Sequence, residues 1–217
     1  MLRWLCIFVL LGLCFGQPVD AGAWPRAKGE VFLSLSVQGD LALQPASGFG
    51  AAYLEWGATE RLTLGFDIGR PYGTAPKLRA FLRLPLPLSL GKTVTAIELG
   101  IGQDGPAPFL RPSVSVGRSL SFGHRSGWLN LDLNAEIFRQ RLPLYQADLT
   151  FGLALNPRLT AMVQLNTSLR HGGQPQTRLA SAVLFNFGKA SQLEFGLSHA
   201  LQGPAAPRVK LSLWQRF

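Results

Sequence analysis

Leu129-Asn130-Leu131-Asp132-Leu133-Asn134-Ala135-Glu136-Ile137 alternates apolar and polar residues without a break. Successive side chains leave a strand on opposite faces, so this stretch has one apolar face and one polar face. An amphipathic helix would instead repeat its apolar positions every three to four residues.

The same period recurs on both sides of it. Leu33, Leu35 and Val37 oppose Ser34, Ser36 and Gln38. Leu62, Leu64, Phe66 and Ile68 oppose Thr63, Gly65, Asp67 and Gly69, and Leu159, Ala161, Val163 and Leu165 oppose Thr160, Met162, Gln164 and Asn166. Read this way, the chain predicts twelve strands, at about 29–38, 49–57, 61–69, 77–84, 93–102, 109–118, 128–138, 145–155, 159–169, 177–187, 192–199 and 208–217. Turn-forming residues punctuate the gaps, among them Arg70-Pro71-Tyr72-Gly73, Asp104-Gly105-Pro106, Asn156-Pro157 and His171-Gly172-Gly173.

The chain begins with a different signal. Arg3 precedes the apolar run 4–16, Pro18 breaks it, and Ala21-Gly22-Ala23 follows. That layout predicts a cleaved secretory signal over 1–23 and one mature domain over 24–217. Cys6 and Cys14 both lie in the leader, so the mature chain has no thiol for a disulfide, a thiolate metal site or a Cys nucleophile.

Composition narrows the class. Only 15% of the 217 residues are charged while 47% are apolar, which excludes a disordered chain. No apolar run reaches the roughly 20 residues of a transmembrane helix. The polar strand face is mainly Gly, Ser, Thr, Asn and Gln, which suits an aqueous or polar-packed lumen, and the apolar face suits lipid. Trp56, Phe187 and Phe217, at predicted strand ends on the apolar face, suit an interfacial aromatic girdle. The fold class expected is all-β: a transmembrane antiparallel up-and-down barrel of about 12 strands. A soluble periplasmic binding barrel is the competing reading, and it requires the Leu33, Leu35 and Val37 face to point inward.

The C-terminal strand carries a resemblance. Val209, Leu211, Leu213, Gln215 and Phe217 alternate, and the chain ends on Phe217. Together with the leader and the twelve segments, this resembles bacterial outer-membrane β-barrels of the porin-like class. Residues 54–65 look like a short periplasmic hairpin of such barrels. The resemblance implies location in the outer membrane, contact with its lipid and lipopolysaccharide, and delivery by the barrel-assembly machinery, with Leu211, Leu213 and Phe217 as the assembly signal. Homo-oligomers are compatible with it. An even strand number puts both termini on one side, the periplasm. The outer loops are then about 39–48, 70–76, 103–108, 139–144, 170–176 and 200–207, which are short for a receptor or adhesin.

The inward phase nominates the lumen chemistry. Arg79, Arg83, Glu98, Arg111, Asp132, Glu136 and Asp148 are expected to line the lumen, with Arg118, Glu55, Asp67, Arg178, Glu194, Lys210 and Arg216 further round. They suit either a charged constriction that selects small ions or polar solutes, or an ion-pair network that holds the barrel. Pro112 lacks a ladder donor and is expected to mark a bulge near the outer rim.

Catalysis finds little support. His124, His171 and His199 sit in or beside predicted loops, and adjacent Ser198 and His199 must face opposite ways in a strand. No catalytic residue, metal ligand set or cofactor motif is assigned. Gly100-Ile101-Gly102-Gln103-Asp104-Gly105 matches a dinucleotide fingerprint, but Pro106-Ala107-Pro108 follows where a helix is required. The formal charge of +9 is spread among the strands, without the basic helix or aromatic-basic cluster of a nucleic-acid binder. The leading function is narrow passive passage of small polar solutes or ions. The alternatives are a closed structural or anchoring barrel and a lipid-modifying enzyme using His199 or His171.

Overall fold

The computed structural model describes residues 22–41, 47–87, 91–188, 190–203 and 206–217. Twelve strands follow in chain order: β1 (Val31–Asp40), β2 (Phe49–Gly57), β3 (Thr63–Pro71), β4 (Lys77–Leu86), β5 (Thr93–Asp104) and β6 (Ala107–Phe122). After them come β7 (Arg125–Phe138), β8 (Leu144–Asn156), β9 (Leu159–Arg170), β10 (Gln176–Asn186), β11 (Ser191–Gln202) and β12 (Arg208–Arg216). Each pairs antiparallel with its neighbour in sequence, and β1 pairs with β12, so the sheet closes on itself. Closure leaves no strand edge unpaired, which is the condition for a sheet to cross hydrocarbon.

The two faces divide as the alternation predicts. Leu35, Val37, Phe66, Leu99, Ile101, Leu133, Leu211 and Leu213 stand exposed on the outside. Glu55, Arg83, Glu98, Asn130, Glu136 and Ser212 are buried inside. This inverts a soluble barrel, and the outward Leu35 and Val37 contradict the soluble reading. Trp56, Phe187 and Phe217 all lie outside at the end of the barrel that carries the termini. Phe217 donates its N–H to the carbonyl of Val31 at 2.9 Å, so the last residue is tied to the first strand. The expected leader falls outside the described residues, apart from Gly22 and Ala23.

Three details differ from expectation. First, Arg118 does not enter the lumen. It pairs with Leu129, which belongs to the outer face, and it is exposed. Arg111 and Arg118 are seven residues apart, an odd number, so one strand must present them on opposite faces. Second, Pro112 makes no bulge. It opposes Leu99 in unbroken register, and on the other side the β6–β7 register is the same before and after it. The irregularities fall instead between Thr177 and Arg178 and between Ala154 and Asn156. Third, β6 and β7 extend to a two-residue turn at Gly123–His124, where the sequence predicts a connection from 119 to 127. Gly123 has φ +61°, the left-handed conformation that tight hairpins need.

Candidate functional site: the barrel lumen

One half of the inner wall, from β2 to β7, carries a continuous chain of opposite charges. Arg79 lies between Asp67 (2.5 Å) and Glu98 (2.6 Å). The other oxygen of Glu98 takes Arg83 at 2.8 Å. Arg83 reaches on to Glu55 at 2.6 Å, and Glu55 takes Arg26 at 2.6 Å. Toward the opposite end, Arg111 stands 3.7 Å from Glu98 and 4.0 Å from Glu136, and Lys77 meets Glu136 at 2.6 Å. Alternation of sign lets Glu55 and Glu136 each serve two cations and Glu98 three. Side chains this buried cannot leave a charge unpaired without a large desolvation cost.

Aromatic rings support the chain. Tyr53 stacks on Phe81 with centroids 5.8 Å apart and donates its hydroxyl proton to Glu55 at 2.5 Å. The guanidinium of Arg79 lies 4.5 Å from the Phe81 ring centre, and Arg83 lies 5.4 Å from it. Glycines make the space: a Cβ on Gly65 would overlap the Phe81 ring, and one on Gly102 would overlap Phe109.

The facing wall, β8 to β12, carries mostly amides, hydroxyls and small side chains, with Asp148, Arg178, Glu194 and Lys210 among them. Gln164 donates to Thr150 at 3.2 Å, Asn166 to Asp148 at 2.8 Å, and Ser34 and Ser212 meet at 3.2 Å. Asp132 accepts from Ser115 and from Asn130, and it opposes Asp148 in the β7–β8 register. Lys210 pairs with Glu194 at 3.0 Å.

All seven residues nominated from the sequence therefore stand on the inner face. Five of them, Arg79, Arg83, Glu98, Arg111 and Glu136, belong to one network. Asp132 and Asp148 sit apart from it, among amides and hydroxyls. Arg26, Lys77 and Tyr53 also belong to the network, and the alternation did not single them out. Arg26 precedes the first strand and has no phase to read. Lys77 begins its strand, and Tyr53 carries no formal charge.

The lumen is open at one end and filled at the other. At the end opposite the termini, a cavity of 610 Å³ is lined by Phe49, Tyr53, Lys77, Arg79, Arg111 and Glu136, among others. Its floor is the ion-pair chain. Beyond the floor, Trp128, Met162 and Leu184 are buried together, with Trp24 and Trp214 packed against them.

The histidines stay out of this site. His124 and His171 are exposed in turns, and His199 is exposed on the outer face while Ser198 turns inward to Arg178. The GxGxxG stretch runs along β5 into the turn at Gly105, as a strand-and-turn reading requires. No group of metal-ligating side chains occurs among the described residues.

No protein-family model and no curated protein matches the chain. Solved structures do. The KdgM porin is similar with a TM-score of 0.66 at 7% identity, covering 87% of this chain and 99% of that one. The NanC porin gives 0.65 at 7% identity, over 84% and 97%. The COG4313 outer-membrane channel of Pseudomonas putida F1 gives 0.60 at 15% identity, over 93% and 99%. At such identities the likeness is one of fold, over 84–93% of this chain. By fold this chain is a closed, antiparallel twelve-stranded β-barrel similar to these outer-membrane proteins.

Proposed function

We propose that the protein is a narrow passive channel for small polar solutes or ions, with its termini in the periplasm and its cavity open to the outside. The observation that carries this reading is the 610 Å³ cavity, whose lining includes the paired charges Arg79 with Asp67 and Lys77 with Glu136. A wide mouth over a charged constriction admits small hydrated species and sorts them by charge. The similar structures support it: KdgM and NanC are porins, the P. putida protein is a channel, and KdgM has been solved with oligogalacturonate, a polar solute. The reading assigns no chemistry to the lumen: among the described residues His124, His171 and His199 are all exposed, outside it.

The test is single-channel recording of the folded mature chain in a planar bilayer, with reversal potentials in a salt gradient. Small, stable conductance steps with an ion preference are expected. Silence from protein shown to be folded overturns the reading. It would favour a structural barrel that anchors or stabilises the outer membrane, whose specific support is the ion-pair network across β2 to β7.

A further inference from the structure

Residues 22–26 lie before β1, and a barrel does not need them. They nevertheless run into the lumen. Ala23 has no exposed surface, and Arg26 is 6% exposed. The Ala23 N–H donates to Asn130 Oδ1 at 3.1 Å, and the Arg26 N–H donates to Thr63 Oγ1 at 3.0 Å. Arg26 Nε holds Glu55 at 2.6 Å, and the guanidinium lies 4.5 Å from the Phe32 ring centre. Trp24 packs in the cluster of Trp128, Met162, Leu184 and Trp214.

The wall is shaped to receive this segment. A Cβ on Gly117 would stand 2.6 Å from the Trp24 ring, and one on Gly57 would overlap the carbonyl of Ala27. Both positions face inward in strands, where glycine weakens the ladder unless something approaches closely. Pro25 lacks an N–H and has a fixed φ, which stiffens the step from Trp24 to Arg26.

We infer that residues 24–26 are a resident plug, the start of the mature chain folded back to close the periplasmic half of the lumen. Trp24 fills the section apolar-side first, and Arg26 latches it to the charge ladder. Both residues follow the expected cleavage point at Ala23, so processing removes the Ala23–Asn130 bond and leaves the packing of Trp24 and the bonds of Arg26 to Thr63 and Glu55 to hold the plug. It rests on the channel reading only for its consequence: passage requires the plug to leave, and the bond to release is Arg26–Glu55.

The test uses two readouts. Pro25→Cys is placed in the mature chain, since Cys6 and Cys14 both precede residue 24. The folded protein is treated with a polyethylene-glycol maleimide too bulky to enter the barrel. Slow tagging is expected, and the added change Arg26→Ala should speed it about tenfold, the weight of one charge-assisted hydrogen bond. Arg26→Ala leaves Glu55 still paired to Arg83, so the barrel keeps its fold. Tagging as fast in the parent as in the Arg26→Ala protein overturns the plug. The second readout compares bilayer conductance with and without Trp24→Ala and Arg26→Ala. Larger or more frequent openings in the double variant support the plug as the barrier, and equal conductance overturns it. Slow tagging with silence in both proteins would instead overturn the channel reading and leave the plug standing.

Discussion

Arg83 and Glu55 meet at 2.6 Å although β3 lies between the strands that carry them. The contact exists because β3 presents small groups to the lumen there. Gly65 opposes Glu55, and Thr63 opposes Arg83, so the two long side chains cross over the gap. Glu55 is 1% exposed and is held by Arg83 on one oxygen and Arg26 on the other.

Glu55→Ala should therefore be costly. It strands part of two buried guanidinium groups, and removing one partner from a buried pair costs about 3–5 kcal/mol. Glu55→Gln keeps an acceptor and should cost less. Urea unfolding in lipid vesicles, followed by tryptophan emission, measures both. A loss under about 1 kcal/mol, the range of exposed pairs, would mean that water screens the lumen there.

Ion preference should follow the mouth of the constriction. Arg111 and Glu136 flank the floor with opposite signs, 4.0 Å apart. Arg111→Ala removes one positive charge while Glu136 stays paired to Lys77, and it should shift the reversal potential toward cations. Glu136→Gln should shift it toward anions. A unit charge about 10 Å from a passing ion is worth about 0.4 kcal/mol in water, so each change should alter the permeability ratio about twofold. A shift of the same sign from both variants would contradict the placement of these charges at the pore.

Much of the barrel was legible because a strand writes its two faces into every second residue. Leu129 to Ile137 identified their faces with no knowledge of neighbours. The errors share a cause as well. An inward phase for both Arg111 and Arg118 would need a break in parity within β6, and the continuous ladder turns Arg118 outward. Leu120, Ser121 and Phe122 carry too little alternation to mark the extension of β6, yet pairing with β7 holds them in the sheet. The network was only half visible: parity finds that Glu55 and Arg83 face inward, but not that β3 leaves them room to touch. The lumen segment was invisible, because residues 24–26 have no period and their partners come from β2, β3 and β7.

Lipid exposure of the outer face makes a depth-dependent prediction. Leu99 stands on the outer face of β5, well inside the strand, and Val37 stands near the mouth end of β1. Arg at the bilayer midplane costs about 2–4 kcal/mol, falling to about 0–1 near the interface. Leu99→Arg should fall in the first range and Val37→Arg in the second, by the same urea unfolding. Equal costs would contradict a membrane-crossing orientation of the strands.

The last prediction concerns the aromatic filling of the half nearest the termini. Gly152 opposes Trp128 in the β8 ladder, and a Cβ on Gly152 would overlap the Trp128 ring. Trp128 is 2% exposed and is enclosed by Met162 and Leu184, so the ring cannot swing aside without displacing them. Gly152→Val should thus overpack the lumen and cost about 1–3 kcal/mol, even though valine suits a strand better than glycine does. Gly50 is the control. It also lies in a strand, and a Cβ there meets nothing within 4 Å. Gly50→Val should be neutral or stabilising. The difference between the two, read from urea midpoints and from the tryptophan emission maximum, isolates the ring contact from strand propensity. Equal effects would mean that Trp128 does not rest on β8.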